Sequence, residues 1–342
     1  YDDKGMTKMA LISLSGKVKD IVDELGGLST GRPYSGGTYS VSRGGRYAFT
    51  YGNVYNLSDL ATGYNGSKNR ITQLNKDLFE YKKLGKVEEV WYNSSYDGRK
   101  IQGWLVTPPD FDPSKKYPLI LEIHGGPFSN YGFRFSAEVQ LFASKGYAVL
   151  YTNPRGSTSY GKEFANLIHH NYPSQDYDDL MSGIDHILKR EYIDENNLFV
   201  TGGSGGGVLT SWIVGKTNRF NAAVVAKPVI NWYSFVLYAD NISYFYRYWF
   251  TGLPWDNVDE YMKRSPISYV GNVKTPTMLL TGEDDYRTPM AESEQFYSGL
   301  KLNKVESMLV RIPGASHGIA SRPSNLIAKV NAIIAWFEKY KK

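Results

Sequence analysis

The chain changes its hydrophobic period once. Over residues 1–85, apolar and polar positions alternate in short runs, the pattern of half-buried strands. Met9-Ala10-Leu11-Ile12-Ser13-Leu14 reads as a strand that turns at Gly16-Lys17. Thr38–Ser42 and Arg46–Tyr51 flank Arg43-Gly44-Gly45, which is hairpin chemistry. A further hairpin is expected from Val54–Leu57, the loop around Gly63 to Gly66, and Arg70–Leu74. The stretch is too short to close a sandwich, and its hairpins have no evident partners. It reads as part of a larger β unit.

From Val87 onward, strands alternate with helical stretches, the sign of a mostly parallel sheet with helices on both faces. Tyr117–Ile123, Tyr147–Tyr151, Leu198–Thr201, Ala222–Val225 and Thr277–Leu280 are short apolar runs of the kind buried on both sides. Asp179 to Arg190 predicts a helix. In the last segment Leu326, Ile327, Val330, Ile333, Ile334 and Phe337 share one helical face, with Ser324 as the expected cap. The fold class that follows is α/β, residues 86–342 forming one catalytic-sized domain behind a β-rich segment at 1–85.

Composition narrows the class. A chain of 342 residues with 42% hydrophobic content holds one large domain, or one large and one small. The 15% aromatic content suits both core packing and apolar pockets. A net charge of +5, spread without a basic stripe, argues against nucleic-acid and membrane-surface partners. No apolar run reaches the length that spans a bilayer. The absence of Cys removes disulfides, thiolate metal sites and a cysteine nucleophile, but does not fix a compartment.

The chemistry concentrates at Gly202-Gly203-Ser204-Gly205-Gly206, a G-x-S-x-G nucleophile elbow between a buried strand and a helix over Val208 to Lys216. Such a turn strains the nucleophile's backbone and aims helix amides at the reacting oxygen. A triad on this fold runs Ser, acid, His along the chain. Of the five histidines, four precede Ser204, which leaves His317, in a loop after Met308–Ile312. The acid falls in Thr281-Gly282-Glu283-Asp284-Asp285, and the residues alone do not choose between Asp284 and Asp285. Oxyanion donors are expected from the amide after the nucleophile, at Gly205, and from the His124-Gly125-Gly126-Pro127 loop. No metal or organic cofactor is required.

These pieces, together with Asn153-Pro154-Arg155-Gly156-Ser157, Tyr160-Gly161, Asp285-Tyr286-Arg287-Thr288-Pro289 and Ser316-His317-Gly318, resemble the prolyl oligopeptidase family of serine peptidases. The likeness is to its acylaminoacyl-peptidase and dipeptidyl-peptidase branch, in family order, from Val87 to the C-terminus. The resemblance implies Asp285 as the acid, Gly126 as the second oxyanion amide, and Arg287 as the donor to a substrate carbonyl. It also implies a specificity pocket lined by Val229, Trp232 and Phe235, and short peptides as substrates. The N-terminal hairpins resemble the last blades of the family's β-propeller. The chain is therefore expected to be a piece of a longer protein, with the rest of the propeller as its partner. Assembly as a homo-oligomer stays open. Two departures stand out: Gly205 replaces a frequent aromatic residue, which is expected to widen the pocket, and Tyr172-Pro173 replaces a Trp-Gly pair. The rival readings are a carboxylesterase or lipase on the same triad, and a non-catalytic interaction protein on a hydrolase scaffold.

Overall fold

In the computed structural model, which describes residues 1–27 and 29–342, the change of period near Val87 is a change of architecture. Ahead of it, β1 (Asp2–Asp3) pairs with β2 (Met6–Thr7) and β3 (Met9–Ile12) with β4 (Val18–Val22). The two expected hairpins form one antiparallel sheet and so are each other's partners. Its strands run in sequence order: β5 (Tyr39–Val41), β6 (Tyr47–Asn53), β7 (Asn56–Tyr64) and β8 (Ser67–Arg70). The last hairpin turns at Asn65-Gly66, both with positive φ (48° and 87°), the backbone a two-residue turn demands. The turn falls within the expected loop, but the first strand runs on to Tyr64 and the second begins at Ser67, ahead of the expected Arg70. Val54-Tyr55 is the link between β6 and β7, and Ile71–Leu74 lies outside any strand. Met9, Val22, Leu25, Tyr47, Phe49 and Ala61 make a small core of their own.

The remaining strands build one eight-stranded sheet. They are β9 (Val87–Asn93), β10 (Lys100–Val106), β11 (Tyr117–Ile123), β12 (Ala148–Asn153), β13 (Ile193–Gly203), β14 (Ala222–Ala226), β15 (Thr277–Gly282) and β16 (Ser307–Ile312). Their order is β16-β15-β14-β13-β11-β12-β10-β9, parallel except where β10 meets β9 and β12. The helices are α1 (Lys76–Phe79), α2 (Ala137–Ser144), α3 (Gly161–Asn166), α4 (Asp176–Ile187), α5 (Gly205–Lys216), α6 (Trp232–Tyr238), α7 (Ile242–Trp249), α8 (Val258–Lys263), α9 (Met290–Leu302) and α10 (Pro323–Tyr340).

Alternation along β11 sorts the two faces. Leu119, Leu121 and Ile123 enter a core shared with α4, α5 and α9, while Ile120 enters one shared with α2 and α10. Glu122 is next to them, fully buried, on the α2/α10 side. In α10, Leu326, Val330, Ile333 and Phe337 are buried as expected. Truncating Phe337 to Ala would cost about 3–5 kcal/mol. Ile327, however, is 55% exposed and Ile334 only partly covered, because each lies one step round the helix from that stripe. The expected Ser324 cap is also absent. Pro323 opens α10 without a side-chain cap, since its fixed φ and missing N–H suit the first helical position.

Residues 30–34 leave the N-terminal segment and dock on this layer. The Thr30 and Gly31 carbonyls accept the Ala137 and Glu138 amides at 2.9 and 3.1 Å, satisfying free donors at the start of α2. Ser136 caps the same helix, its hydroxyl accepting from the Val139 amide at 3.2 Å. Arg32 and Tyr34 are thereby carried to the end of β11 and β13, where the chemistry lies.

Candidate active site

Ser204 sits between the end of β13 and the start of α5 with φ 61° and ψ −120°, a region non-glycine residues avoid. Such strain costs on the order of 1–3 kcal/mol and persists only where surroundings enforce it. Here the Ser204 amide donates to the Ala226 and Lys227 carbonyls at 3.1 and 3.2 Å, and its carbonyl accepts from the Val208 amide. A Cβ on Gly206 would stand 2.1 Å from the Ile123 carbonyl oxygen, so α5 can begin this close to β11 only with glycine there.

His317 Nε2 lies 3.1 Å from Ser204 Oγ, and its Nδ1 lies 2.8 Å from Asp285 Oδ2. Of the two neighbouring acids, Asp285 is the one that contacts the imidazole. Asp285 also accepts the Arg287 and Thr288 amides at 3.0 and 2.9 Å and the Thr288 hydroxyl at 3.1 Å. Burial tends to raise its pKa, but the His317 hydrogen bond and these donors hold it below the usual carboxylate range. For His317, burial is the largest influence and lowers its pKa. The Asp285 hydrogen bond opposes that shift, while Lys227 and Arg287 reinforce it. The imidazole is therefore neutral near pH 7, the state in which it can accept a proton.

Gly126 has φ 126°, accessible only to glycine, and its backbone abuts Gly205. The Gly205 amide is the first of α5, where no intrahelical partner exists. Both expected donors therefore flank Ser204.

Two cavities open from the serine, and Gly126, Ser204 and His317 line both. One, of about 320 Å³, is walled by Tyr172, Val208, Val229, Trp232, Phe235 and Trp249, with Arg287 at its edge. All three pocket residues expected from the sequence are there. Arg287 is 2.6 Å from Asp240 through Nε, and among the described residues its two terminal nitrogens donate to no protein acceptor. The other cavity, of about 590 Å³, is walled by Arg32, Tyr34, Glu138, Lys227 and Lys329 with residues 317–321.

Residues 133–342, more than half of the chain, match the prolyl oligopeptidase family. The chain belongs to the prolyl oligopeptidase family. An uncharacterised peptidase of Bacillus subtilis, YuxL, is 44% identical over 257 residues, which are 74% of this chain and 39% of that protein. Dipeptidyl-peptidase 5 of Schizosaccharomyces pombe is 30% identical over 260 residues, 75% of this chain and 38% of the relative. The acylaminoacyl peptidase of Pyrococcus horikoshii superposes with a TM-score of 0.88 at 26% identity, over 99% of this chain and 53% of that one. The chain thus spans about two fifths of the length of the curated relatives it matches.

Within this prolyl oligopeptidase framework the two departures acquire a shape. A Cβ on Gly205 would meet the Gly126 backbone at 3.1 Å, so a side chain there would start against that loop. Gly205 itself lines the aromatic pocket. Tyr172, from the other departure, lies close to the elbow. It is buried, its hydroxyl donates to the Gly205 carbonyl at 2.8 Å, and its ring packs near Trp232 and Trp249.

Several neighbours of the site went unread in the sequence. Tyr34 Oη accepts the Gly125 amide at 2.7 Å. Lys227 Nζ donates to the His317 carbonyl. Glu292 accepts the Ile230 and Asn231 amides at 2.6 and 2.9 Å and so fixes the loop that carries Val229 and Trp232. Burial pushes its carboxyl up to about 7. Two further buried charges did leave a signal, because Glu122 within β11 and Lys329 within α10 interrupt apolar runs.

Among the described residues, no group of three or more His, Cys, Asp or Glu side chains could hold a metal ion. No described helix is long and apolar enough to cross a membrane.

Proposed function

We propose that the chain acts as a serine peptidase on short peptides, in the manner of acylaminoacyl and dipeptidyl peptidases, through an acyl-enzyme on Ser204. The observation that carries this reading is the alignment of Ser204 Oγ, His317 and Asp285 at 3.1 and 2.8 Å on a strained elbow. In this scheme His317 takes the hydroxyl proton as Ser204 attacks the carbonyl carbon, and Asp285 holds the tautomer. The Gly126 and Gly205 amides receive the oxyanion, each supplying on the order of 10²–10³ in rate. His317 then returns the proton to the leaving amine, and water repeats the cycle on the acyl-enzyme. The acyl side chain enters the aromatic pocket, with the free end of Arg287 reaching a neighbouring carbonyl.

The proposed division is residues 1–85 as partial propeller blades and 86–342 as catalytic domain. The antiparallel β5–β8 sheet, with the four strands of one blade, supports it. The rest of a propeller would then be the partner of this segment.

The test is a matched panel of free-amine dipeptide, N-acetylated amino-acid and internally blocked peptide anilides, beside a nitrophenyl ester. Anilide cleavage that disappears in Ser204→Ala is the expected result, and the preferred blocking group names the branch. Ester turnover without anilide turnover would replace the peptidase with an esterase. Full turnover by Ser204→Ala would end the scheme.

A further inference from the structure

The charged cavity is left without a task by the scheme above. Ser204, His317 and Gly126 line it as they line the aromatic pocket, yet Arg287, Val229 and Trp232 line only the latter. If the acyl side chain occupies the aromatic pocket, the leaving group lies across Ser204 from it, still within reach of His317, from which it must receive a proton. That side is the charged cavity.

Its charges do not cancel. Glu138 accepts Lys329 Nζ at 2.7 and 2.8 Å and lies 3.4 Å from Arg32, while Glu122 lies 2.9 Å from Arg32. Two carboxylates therefore engage Arg32 and Lys329. Lys227 is the third cation and has no carboxylate within ion-pair distance among the described residues. Its Nζ donates to the His317 carbonyl, and its side chain is half-buried on the cavity wall. An ammonium group carries three donors, so one carbonyl leaves two for a ligand. Burial, with Arg32 and Lys329 nearby, pushes Lys227 down to about 7 against the weaker pull of Asp285 and Glu138. The Ser29, Thr30 and Ser321 side chains add hydroxyl groups to the same wall.

We propose that this cavity is a leaving-group subsite for a free α-carboxylate, with Lys227 as its counter-ion, so that substrates are cleaved one or two residues from their C-terminal end. The inference rests on the peptidase reading and on the acyl side chain taking the aromatic pocket. The volume of about 590 Å³ accommodates a leaving amino acid or dipeptide. Lys227 stands beside the nucleophile, its own carbonyl accepting the Ser204 amide, so the anion it binds is close to the scissile bond. An extended, uncharged leaving chain would gain nothing from this cation.

The experiment uses the full chain and the acyl residue cleaved best as an anilide, followed by Gly or Gly-Gly, each as free acid and as C-terminal amide. The expected result is a kcat/KM about tenfold higher for the acid than for the amide, the size of one charge-assisted hydrogen bond. That preference should shrink as salt is raised. In Lys227→Met the acid-to-amide ratio should fall toward one, and in Lys227→Arg it should survive. Reading the ratio within each variant removes any change that Lys227 makes to His317. An acid-to-amide ratio of one or less in the unmodified chain overturns the subsite, whether or not the variants fold. A ratio that persists in Lys227→Met overturns the role of Lys227. Cleavage of the anilide with no discrimination between acid and amide separates this failure from failure of the peptidase reading, in which neither peptide nor anilide is cleaved.

Discussion

The two cavities beside Ser204 lie against opposite faces of the same sheet and are built from different physics. The aromatic pocket grows from the α4/α5/α9 side, and its walls pack by shape: Trp232 is edge-on to Phe235 at 5.5 Å and Phe128 stacks on Trp249 at 5.1 Å. The charged cavity grows from the α2/α10 side, where Arg32, Glu122, Glu138 and Lys329 are buried together. Apolar walls select by area and volume, at about 0.8 kcal/mol per methylene, and respond little to salt. Buried charges select by sign, and they are stable only while every partner stays in place. The difference teaches that one nucleophile can be served by a tolerant pocket on one side and an exacting one on the other.

Because both cavities report through one triad, the largest effect should be blind to the distinction. Asp285→Asn keeps the shape of the acid but offers His317 Nδ1 the wrong partner. We expect kcat to fall by about 10⁴-fold, the loss typical when a triad acid becomes its amide. The fall should be equal for large and small acyl residues and for acid and amide leaving groups. A loss confined to one substrate series would mean that Asp285 acts through one cavity only.

The next effect should appear in stability and only on the charged side. Arg32→Ala strands Glu122 and Glu138 with Lys329 alone, and breaking a buried ion pair costs about 3–5 kcal/mol. Chemical denaturation should show that loss. A drop below about 1 kcal/mol would mean that water or a rearranged Lys329 neutralises the carboxylates, and the cavity is less exacting than its geometry states.

The same contrast explains what was legible in the sequence. The elbow, the acid loop and His317 could be read because glycine spacing and chain order carry them, and each sits at the end of a strand visible as an apolar run. Val229, Trp232 and Phe235 lie in one short segment after β14, so a single stretch of sequence brings the pocket along. The charged cavity is walled by residues 32, 138, 227 and 329, with Glu122 paired to Arg32, and no local pattern connects them. Glu122 and Lys329 interrupt apolar runs, but nothing in those runs says that Arg32 reaches both acids across 90 or more residues of chain. Local errors had local causes: Pro323 displaced Ser324 as the start of α10, and the two-residue Asn65-Gly66 turn let both strands of the final hairpin reach closer to it than expected.

A smaller effect should separate the cavities by substrate. Val229→Phe adds bulk to the aromatic pocket and should cut kcat/KM for large acyl residues by at least about 10–200-fold relative to Gly or Ala, the range for one methylene of misfit. The acid-to-amide ratio of the leaving group should not move. If both selectivities change together, the two sides are coupled through the elbow, and the contact between Gly205 and the Gly126 backbone is the first place to look.

The smallest effect crosses between the cavities through charge. His317 must be neutral to act, so activity is lost as pH falls through its pKa, and burial with Lys227 and Arg287 sets that pKa below the ordinary value of 6.5 against the pull of Asp285. Lys227, pushed to about 7, still carries its charge over most of the acid limb. Lys227→Met removes a positive neighbour, lets the imidazolium persist to higher pH, and should move the acid limb of kcat/KM upward by less than about one unit. Val229→Phe, acting through volume, should leave the limb in place. A limb that stays put in Lys227→Met would confine that lysine to the leaving group. A limb that rises would make it the one residue through which the charged side adjusts the chemistry that the aromatic side also uses.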